Sequence, residues 1–287
     1  MNLKQLSIII VNYNVKDLLK NCIQSCLHAI KTIDAEIIIV DNNSNDGSKE
    51  FITRVFPQVK WVQNSANLGF SKANNIGVSY SKGNYLLILN PDTIVKPDVF
   101  EKIIPFAEHA KQFGALGVRI TDENNHYRPE SKRNYPNPKN TFDKLFSQLF
   151  FSKSKKSKGY YNTELGEYDI GKVEILTGCF FFTTKKIYTE VGGFDESYFM
   201  YGEDIDLSYT ILKAGYQNYY YGKTSIIHYK GAATKIDKSY YKNFYNAMEI
   251  FVRKYFKKPF VMYIFLLFGL KIRYYLALLI FSMQRKK

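Results

Sequence analysis

Five carboxylates, Asp195, Glu196, Glu203, Asp204 and Asp206, fall within the fourteen residues FDESYFMYGEDIDL at 194–207. The chain around them is basic, with a formal net charge of +14 and only 26 acids among 287 residues. Such a patch is either a helix start and solvated edge or the place of a general base, since a carboxylate beside a bound hydroxyl can take its proton. The spacing separates the two. Asp204, Leu207, Ile211 and Ala214 stand at i, i+3, i+7 and i+10, one helical stripe that is apolar except at its first member. The pattern predicts a helix over 204–214 with Asp204 facing inward at its N-terminal end and Glu203 and Asp206 pointing elsewhere. A helix dipole or an N-cap explains one or two acids there, but not an acid on the apolar face.

Other polar residues follow apolar runs. Asn12-Tyr13-Asn14, Asp41-Asn42-Asn43-Ser44, Asn64 and Asn90-Pro91-Asp92 each close a β-rich stretch. Asp41 is not the ribose-binding acid of a dinucleotide fold, because the turn after the first strand, VNYNVKD, holds no glycine. Tyr13 and Asp41 can instead hold a base, the ring stacking and the carboxylate accepting from a base N–H. Asp92, at a strand end, can ligate a divalent cation that binds phosphate oxygens. His228, in IIHYKG, also follows an apolar run. It is read evenly as a structural hydrogen-bonder or as part of the site.

These residues need a scaffold to bring them together. The runs LSIIIVN (6–12), EIIIVDN (36–42), VKWVQN (59–64), YLLILN (85–90) and ALGVRI (115–120) are continuous, as expected of strands covered on both faces. Helical patterns over 15–30 and 71–81 alternate with them. This rhythm predicts an α/β fold with a mostly parallel, doubly wound sheet, in which ligands sit beyond the carboxyl ends of the strands. Residues 121–170 break the rhythm and read as a loop-rich basic insertion, with SKSKKSKG as a flexible stretch. Strands return in VEILTGCFFFTT at 173–184. The division expected is a domain over 1–245 and a tail over 246–287.

The basic charge belongs to two segments. Residues 223–287 carry a net +12 and residues 131–160 a net +7, which leaves the remainder at −5. A nucleic-acid reading of the whole fold therefore loses its support. In the tail, PFVMYIFLLFGLKIRYYLALLIFSM at 259–283 is apolar but interrupted by Lys271 and Arg273. Neither half reaches the roughly 20 residues of a spanning helix, so the tail is expected to lie as an amphipathic helix or hairpin on an anionic membrane surface. Cys22, Cys26 and Cys179 make no disulfide framework, which favours the cytoplasm. The expected location is therefore cytoplasmic, peripherally attached to the inner face of the plasma membrane.

In order and spacing, IVNYN (10–14), IIIVDNNSNDGS (37–48), NLGFSKANNIG (67–77), LNPD (89–92), LTGCFF (176–181) and GGFDESYFMYGEDIDLSY (192–209) resemble the family 2 glycosyltransferases. The similarity is to their rhamnosyltransferase-like branch, which serves bacterial cell-surface polysaccharide synthesis. The resemblance implies the GT-A fold, a Rossmann-like nucleotide-diphospho-sugar transferase domain. It implies an inverting transfer from a dTDP- or UDP-sugar, rhamnose favoured, to a hydroxyl of a lipid-linked or glycan acceptor. Asp204 would be the base and Glu203 its neighbour near the acceptor. Tyr13, Asp41, Asn43, Asn67, Lys72 and Asn90 would line the nucleotide side. Asp92, the last acid of a DxD-type motif whose first position here is Asn90, would hold Mg2+ or Mn2+ together with His228. Thr210 stands where relatives often have Arg. Two other readings remain: a binder of anionic polymers or nucleic acid using the basic segments, and an inactive sugar-nucleotide fold acting as a partner subunit.

Overall fold

The run LSIIIVN becomes the middle of a sheet because both of its faces are apolar and both are covered. Ile8, Ile9, Ile10, Leu86, Leu87, Ile88 and Leu89 have no exposed surface at all. The computed structural model describes residues 4–136, 160–234 and 236–284. In its first half, β1 (Lys4–Asn12), β2 (Ala35–Asp41), β3 (Lys60–Gln63) and β4 (Gly83–Leu89) alternate with α1 (Lys16–Ala29), α2 (Ser48–Val55) and α3 (Phe70–Ser79). β1 pairs in parallel with both β2 and β4, and β2 with β3. Chain order runs outward from β1 to β3 and then crosses to β4 on the other side. The carboxyl ends of β1 and β4 therefore flank a topological switch point, the natural crevice for a ligand. Tyr13 and the Asn90-Pro91-Asp92 turn leave the sheet there.

The second half adds β5 (Thr93–Val95), α4 (Val99–His109), β6 (Phe113–Thr121), β7 (Ile170–Val173), β8 (Phe180–Thr184), α5 (Lys185–Glu190), α6 (Glu203–Lys213) and β9 (Gln217–His228). The full order is β3-β2-β1-β4-β8-β6-β9-β5, with β7 on β9. This is the expected α/β fold. β8 enters antiparallel between β4 and β6, and β6 and β9 are parallel again. An apolar run does not encode its own direction, so only the pairing reveals that β8 is reversed.

The insertion gains detail, and the split of the tail changes. The loop-rich insertion over 121–170 is ordered at both described ends: Arg133 and Ile175 exchange backbone hydrogen bonds of 3.1 and 3.0 Å, and Asn134 N donates to Tyr160 O at 2.9 Å. Lys132 and Arg133 are buried. Pro and Asn are turn-formers by composition, but a loop still pairs its buried backbone. The SKSKKSKG stretch lies outside the described residues.

The tail forms two helices, α7 (Lys238–Tyr255) and α8 (Phe260–Gln284). Phe251 and Val252 of α7 and Phe256, just after it, pack with Leu266 and Leu270 of α8, against Tyr135 and Ile205 of the α/β body. Lys271 and Arg273 do not divide α8, contrary to the split read from the sequence. Both are good helix formers and their long stems lie along the helix surface. Phe260–Met283 is 24 residues with mean hydropathy 2.0 and little of it buried, so it is long and apolar enough to cross a membrane. Val261, Phe265, Phe268, Ile272, Tyr275 and Leu279 form one exposed stripe along it. Residue 245 lies within α7.

Candidate active site

The first corner of the site lies at the ends of β1, β2 and β3. Asp41 is buried and its carboxylate accepts from Asn12 Nδ2 (2.7 Å), Ser44 N (2.8 Å), Ser44 Oγ (2.6 Å) and Gln63 Nε2 (2.7 Å). Next to it, Asn42 Oδ1 accepts from Asn64 Nδ2 at 2.9 Å and its amide donates to Gly69 O at 3.1 Å. Asn42 therefore ties the end of β2 to the NLGF turn. That turn reaches the acid loop, because Phe70 N donates to Phe199 O at 2.7 Å. Gly69 makes the approach possible: at φ +85° an added Cβ would stand 2.4 Å from Phe199 O. Tyr13, 48% exposed, projects at the rim and is free to stack on a planar ring. Asn43 is exposed in a left-handed turn at φ 63°, Asn67 Oδ1 accepts from Gly69 N at 3.0 Å, and Lys72 is exposed on α3.

The second corner follows β4. Asp92 is buried beside His228, with Oδ1 at 3.3 Å from His228 Nε2. The register of β5 against β9 sets this contact, pairing Thr93 with His228. Burial opposes a charge on His228, but the Cys179 sulfur and the Asp92 carboxylate more than offset it and raise its pKa. Asn90 is held by its backbone, N donating to Cys179 O at 3.1 Å, and Cys22 Sγ lies under the turn at 3.5 Å from Asn90 O. Asp92 Oδ1 is buried and ion-paired with His228 at 3.3 Å without hydrogen-bond geometry. A carboxylate oxygen facing an imidazole fits a divalent cation that displaces the imidazole proton and takes its other ligands from phosphate and water. Among the described residues no group of three or more His, Cys, Asp or Glu gathers to saturate such an ion.

The third corner is the start of α6. Asp204 Oδ2 accepts from Arg133 Nη2 (2.7 Å) and Gly178 N (3.0 Å), and Oδ1 accepts from Ile205 N (2.8 Å). Asp204 is the acid of this helix start that keeps a partial opening; Glu203 and Asp206 are buried. This corrects the expectation that those two point away. A stripe argument assumes a single covered face, whereas α6 is covered by the 174–179 linker, by β9 and by α7. Glu203 Oε2 has no hydrogen-bond partner, and burial followed by the charge of Asp204 pushes its pKa up to about 8. Asp206 accepts from Tyr255 Oη at 2.7 Å and pairs with Lys254 Nζ at 2.9 Å, both on α7. Lys254 also pairs with Asp195 at 2.6 Å, and Glu196 accepts from Asn75 Nδ2 at 3.1 Å. The acid patch therefore divides into one carboxylate facing the site and others that anchor the body and the tail.

Sequence reasoning missed Arg133, Asn42, Gln63, Gly178 and Lys254. Asn42 was inside a noted polar turn; Arg133 and Lys254 sit in basic stretches where nothing local marks them.

The second and third corners meet on one dipeptide, Gly178-Cys179. Gly178 N binds Asp204, while Cys179 O binds Asn90, so the inward acid and the Asn-Pro-Asp turn are joined through consecutive residues. The family profile of Glycosyl transferase family 2 matches residues 7–192, and the chain belongs to that family. It is 25% identical over 226 residues to the N-acetylglucosaminyl-diphospho-decaprenol L-rhamnosyltransferase of Mycobacterium tuberculosis, covering 70% of this chain and 68% of that one. It is 28% identical over 229 residues to the rhamnosyltransferase WbbL of Escherichia coli, covering 77% and 82%. Among solved structures, the mannosyltransferase PcManGT of Pyrobaculum calidifontis in complex with GDP-Man and Mn2+ shares the fold with a TM-score of 0.58 at 14% identity. The match covers 88% of this chain and 63% of that chain. The fold is GT-A.

Proposed function

We propose that this chain is an inverting glycosyltransferase that moves a sugar from a dTDP- or UDP-sugar, rhamnose favoured, to a hydroxyl of a lipid-linked or polysaccharide acceptor. The observation that carries the reading is the 177–179 linker, which brackets the base and the phosphate side of the site between adjacent backbone groups. The names of the two rhamnosyltransferase relatives support the sugar.

The donor base stacks on Tyr13 and faces the Asp41 corner, with Asn43, Asn67, Lys72 and Asn90 on the nucleotide side. Asp92 and His228 would hold Mg2+ or Mn2+, which would supply positive charge to stabilise the leaving diphosphate. Asp204 Oδ1 takes the proton from the acceptor hydroxyl as its oxygen attacks the anomeric carbon opposite the diphosphate. A single displacement with one base inverts that carbon. Glu203, held neutral by burial and by Asp204, borders the acceptor side.

The exposed stripe of α8 and its basic flank at Lys257 and Lys258 seat the enzyme on the inner leaflet, beside a lipid-linked acceptor. Truncation after Lys258 is expected to move the protein from the membrane to the soluble fraction.

The decisive experiment is Asp204→Asn, with donor affinity measured by thermal shift over a panel of nucleotide sugars. Transfer should fall about 10²–10⁴-fold with donor affinity nearly unchanged. Parent-like turnover would end the assignment of Asp204 as base.

A further inference from the structure

Arg133 lies in SKRNYPNP, a stretch whose composition says only basic loop, yet its guanidinium is buried and multiply held. Burial opposes its charge, but the Asp204 carboxylate more than compensates and raises its pKa further. Its backbone is paired both ways with Ile175, so the side chain is aimed by the same linker that carries Gly178. One nitrogen, Nη2, donates both to Asp204 Oδ2 and to Leu176 O.

The consequence is an asymmetry between the two oxygens of Asp204. An ionised carboxylate has roughly four acceptor directions, about two on each oxygen. Arg133 and Gly178 fill those of Oδ2, whereas Ile205 N takes one on Oδ1 and leaves one open. We propose that Arg133 is a positioning residue for the transfer reaction: by occupying Oδ2 it fixes the Asp204 carboxylate and presents Oδ1 to the acceptor hydroxyl. The proposal rests on the reading of Asp204 as the base. In the step itself the acceptor O–H proton moves to Oδ1, the oxygen forms its bond to the anomeric carbon, and the donor's phosphate oxygen leaves with the electron pair. The acid then returns its proton to solvent and the carboxylate is restored for the next turnover.

The charged and titratable groups around Asp204 are few. Glu203 comes from its own helix and Arg133 from the segment after the short 3-10 turn at Pro129–Ser131. Tyr160 lies against Arg133 and Tyr201 near Glu203. The 174–179 linker offers a backbone amide, and Asp206 is engaged by α7. Arg133 is thus the cation among the described groups that face the base.

The two N–H bonds of Nη2 lie in a fixed guanidinium plane that bridges a carbonyl and a carboxylate, and a lysine keeps the charge without that fixed plane. The test uses the full chain and compares Arg133→Gln, Arg133→Lys and Asp204→Asn, with each Arg133 change also combined with Asp204→Asn. Misplacing a base costs about 10²-fold. Arg133→Gln is therefore expected to lower kcat about 10²-fold while the donor KM stays within about twofold, with Arg133→Lys recovering part of the loss. In the Asp204→Asn background, Arg133→Gln should cost no more than about twofold, because the two residues act as one unit. Equal losses in both backgrounds would overturn the proposal, as would a folded Arg133→Gln with full kcat, or a loss confined to donor KM. If Arg133→Gln does not fold, the same cycle run with Arg133→Lys decides by the same criterion. An active Asp204→Asn sinks the base assignment; an inactive Asp204→Asn with additive Arg133 effects sinks this inference alone.

Discussion

The nucleotide corner and the acid corner of this protein are built in opposite ways. Asp41 is satisfied by Asn12, Ser44 and Gln63, all from the first three βα units. Asp204 is satisfied by Arg133 and Gly178, and Asp206 by Lys254 and Tyr255, so the acid corner is held by contacts that reach across as many as 71 positions. The donor side follows from parallel strands ending on one rim. The acceptor side exists only after a crossing segment, a reversed strand and a tail helix have docked. The comparison teaches that the acid patch is a junction as much as a catalytic feature.

The sharpest test of the first corner's neighbour is Asp92→Ala. It removes the buried carboxylate oxygen beside His228 and should abolish cation-stimulated nucleotide-sugar binding while leaving the fold intact. Full turnover in excess chelator would contradict the role given to Asp92. Asp41→Ala attacks the local corner. Leaving its donors unpaired in a buried place should cost about 3 kcal/mol of stability in denaturant melts and weaken donor binding. An unchanged midpoint would show that the rim does not depend on its central acid.

Lys254→Met attacks the distant corner. Lys254 is about a third exposed, so solvent already screens it; the loss expected is about 1–2 kcal/mol. If the acid junction is shared, kcat should fall with donor affinity unchanged; unchanged kcat would separate the tail from the catalytic helix. For the same reason Asp206→Asn is expected to loosen the tail, an outcome that its place off the apolar stripe of the helix does not suggest.

The test of Glu203 appears as a pH dependence. Its folded pKa of about 8 lies above the ordinary 4.5, so the folded protein keeps a proton that the unfolded chain has released. That stabilising contribution is complete below about 4.5 and is lost as pH rises through about 8. Glu203→Gln cannot ionise, so its Tm relative to the parent should climb from about pH 5 to about pH 9. A constant difference across that range would mean Glu203 is not held protonated by burial and Asp204.

Asp41, Asp92 and Asp204 were legible as inward or strand-end acids because apolar runs and a helical stripe are local patterns, set by side-chain periodicity within a dozen residues. The α/β class and the rim of polar strand ends followed from the same source. Arg133, Gly178 and Lys254 were not legible, nor were the burial of Glu203 and Asp206. Their roles come from contacts between elements far apart in the chain, and no local spacing records which segment will cross which. Continuity of α8 through Lys271 and Arg273 belongs with these, since a charge within an apolar run breaks a hydropathy window without breaking a helix. The sequence by itself determined the strands, their rim and the inward acid; the tertiary structure decided which oxygen of that acid is free, because only packing brings the guanidinium to the other.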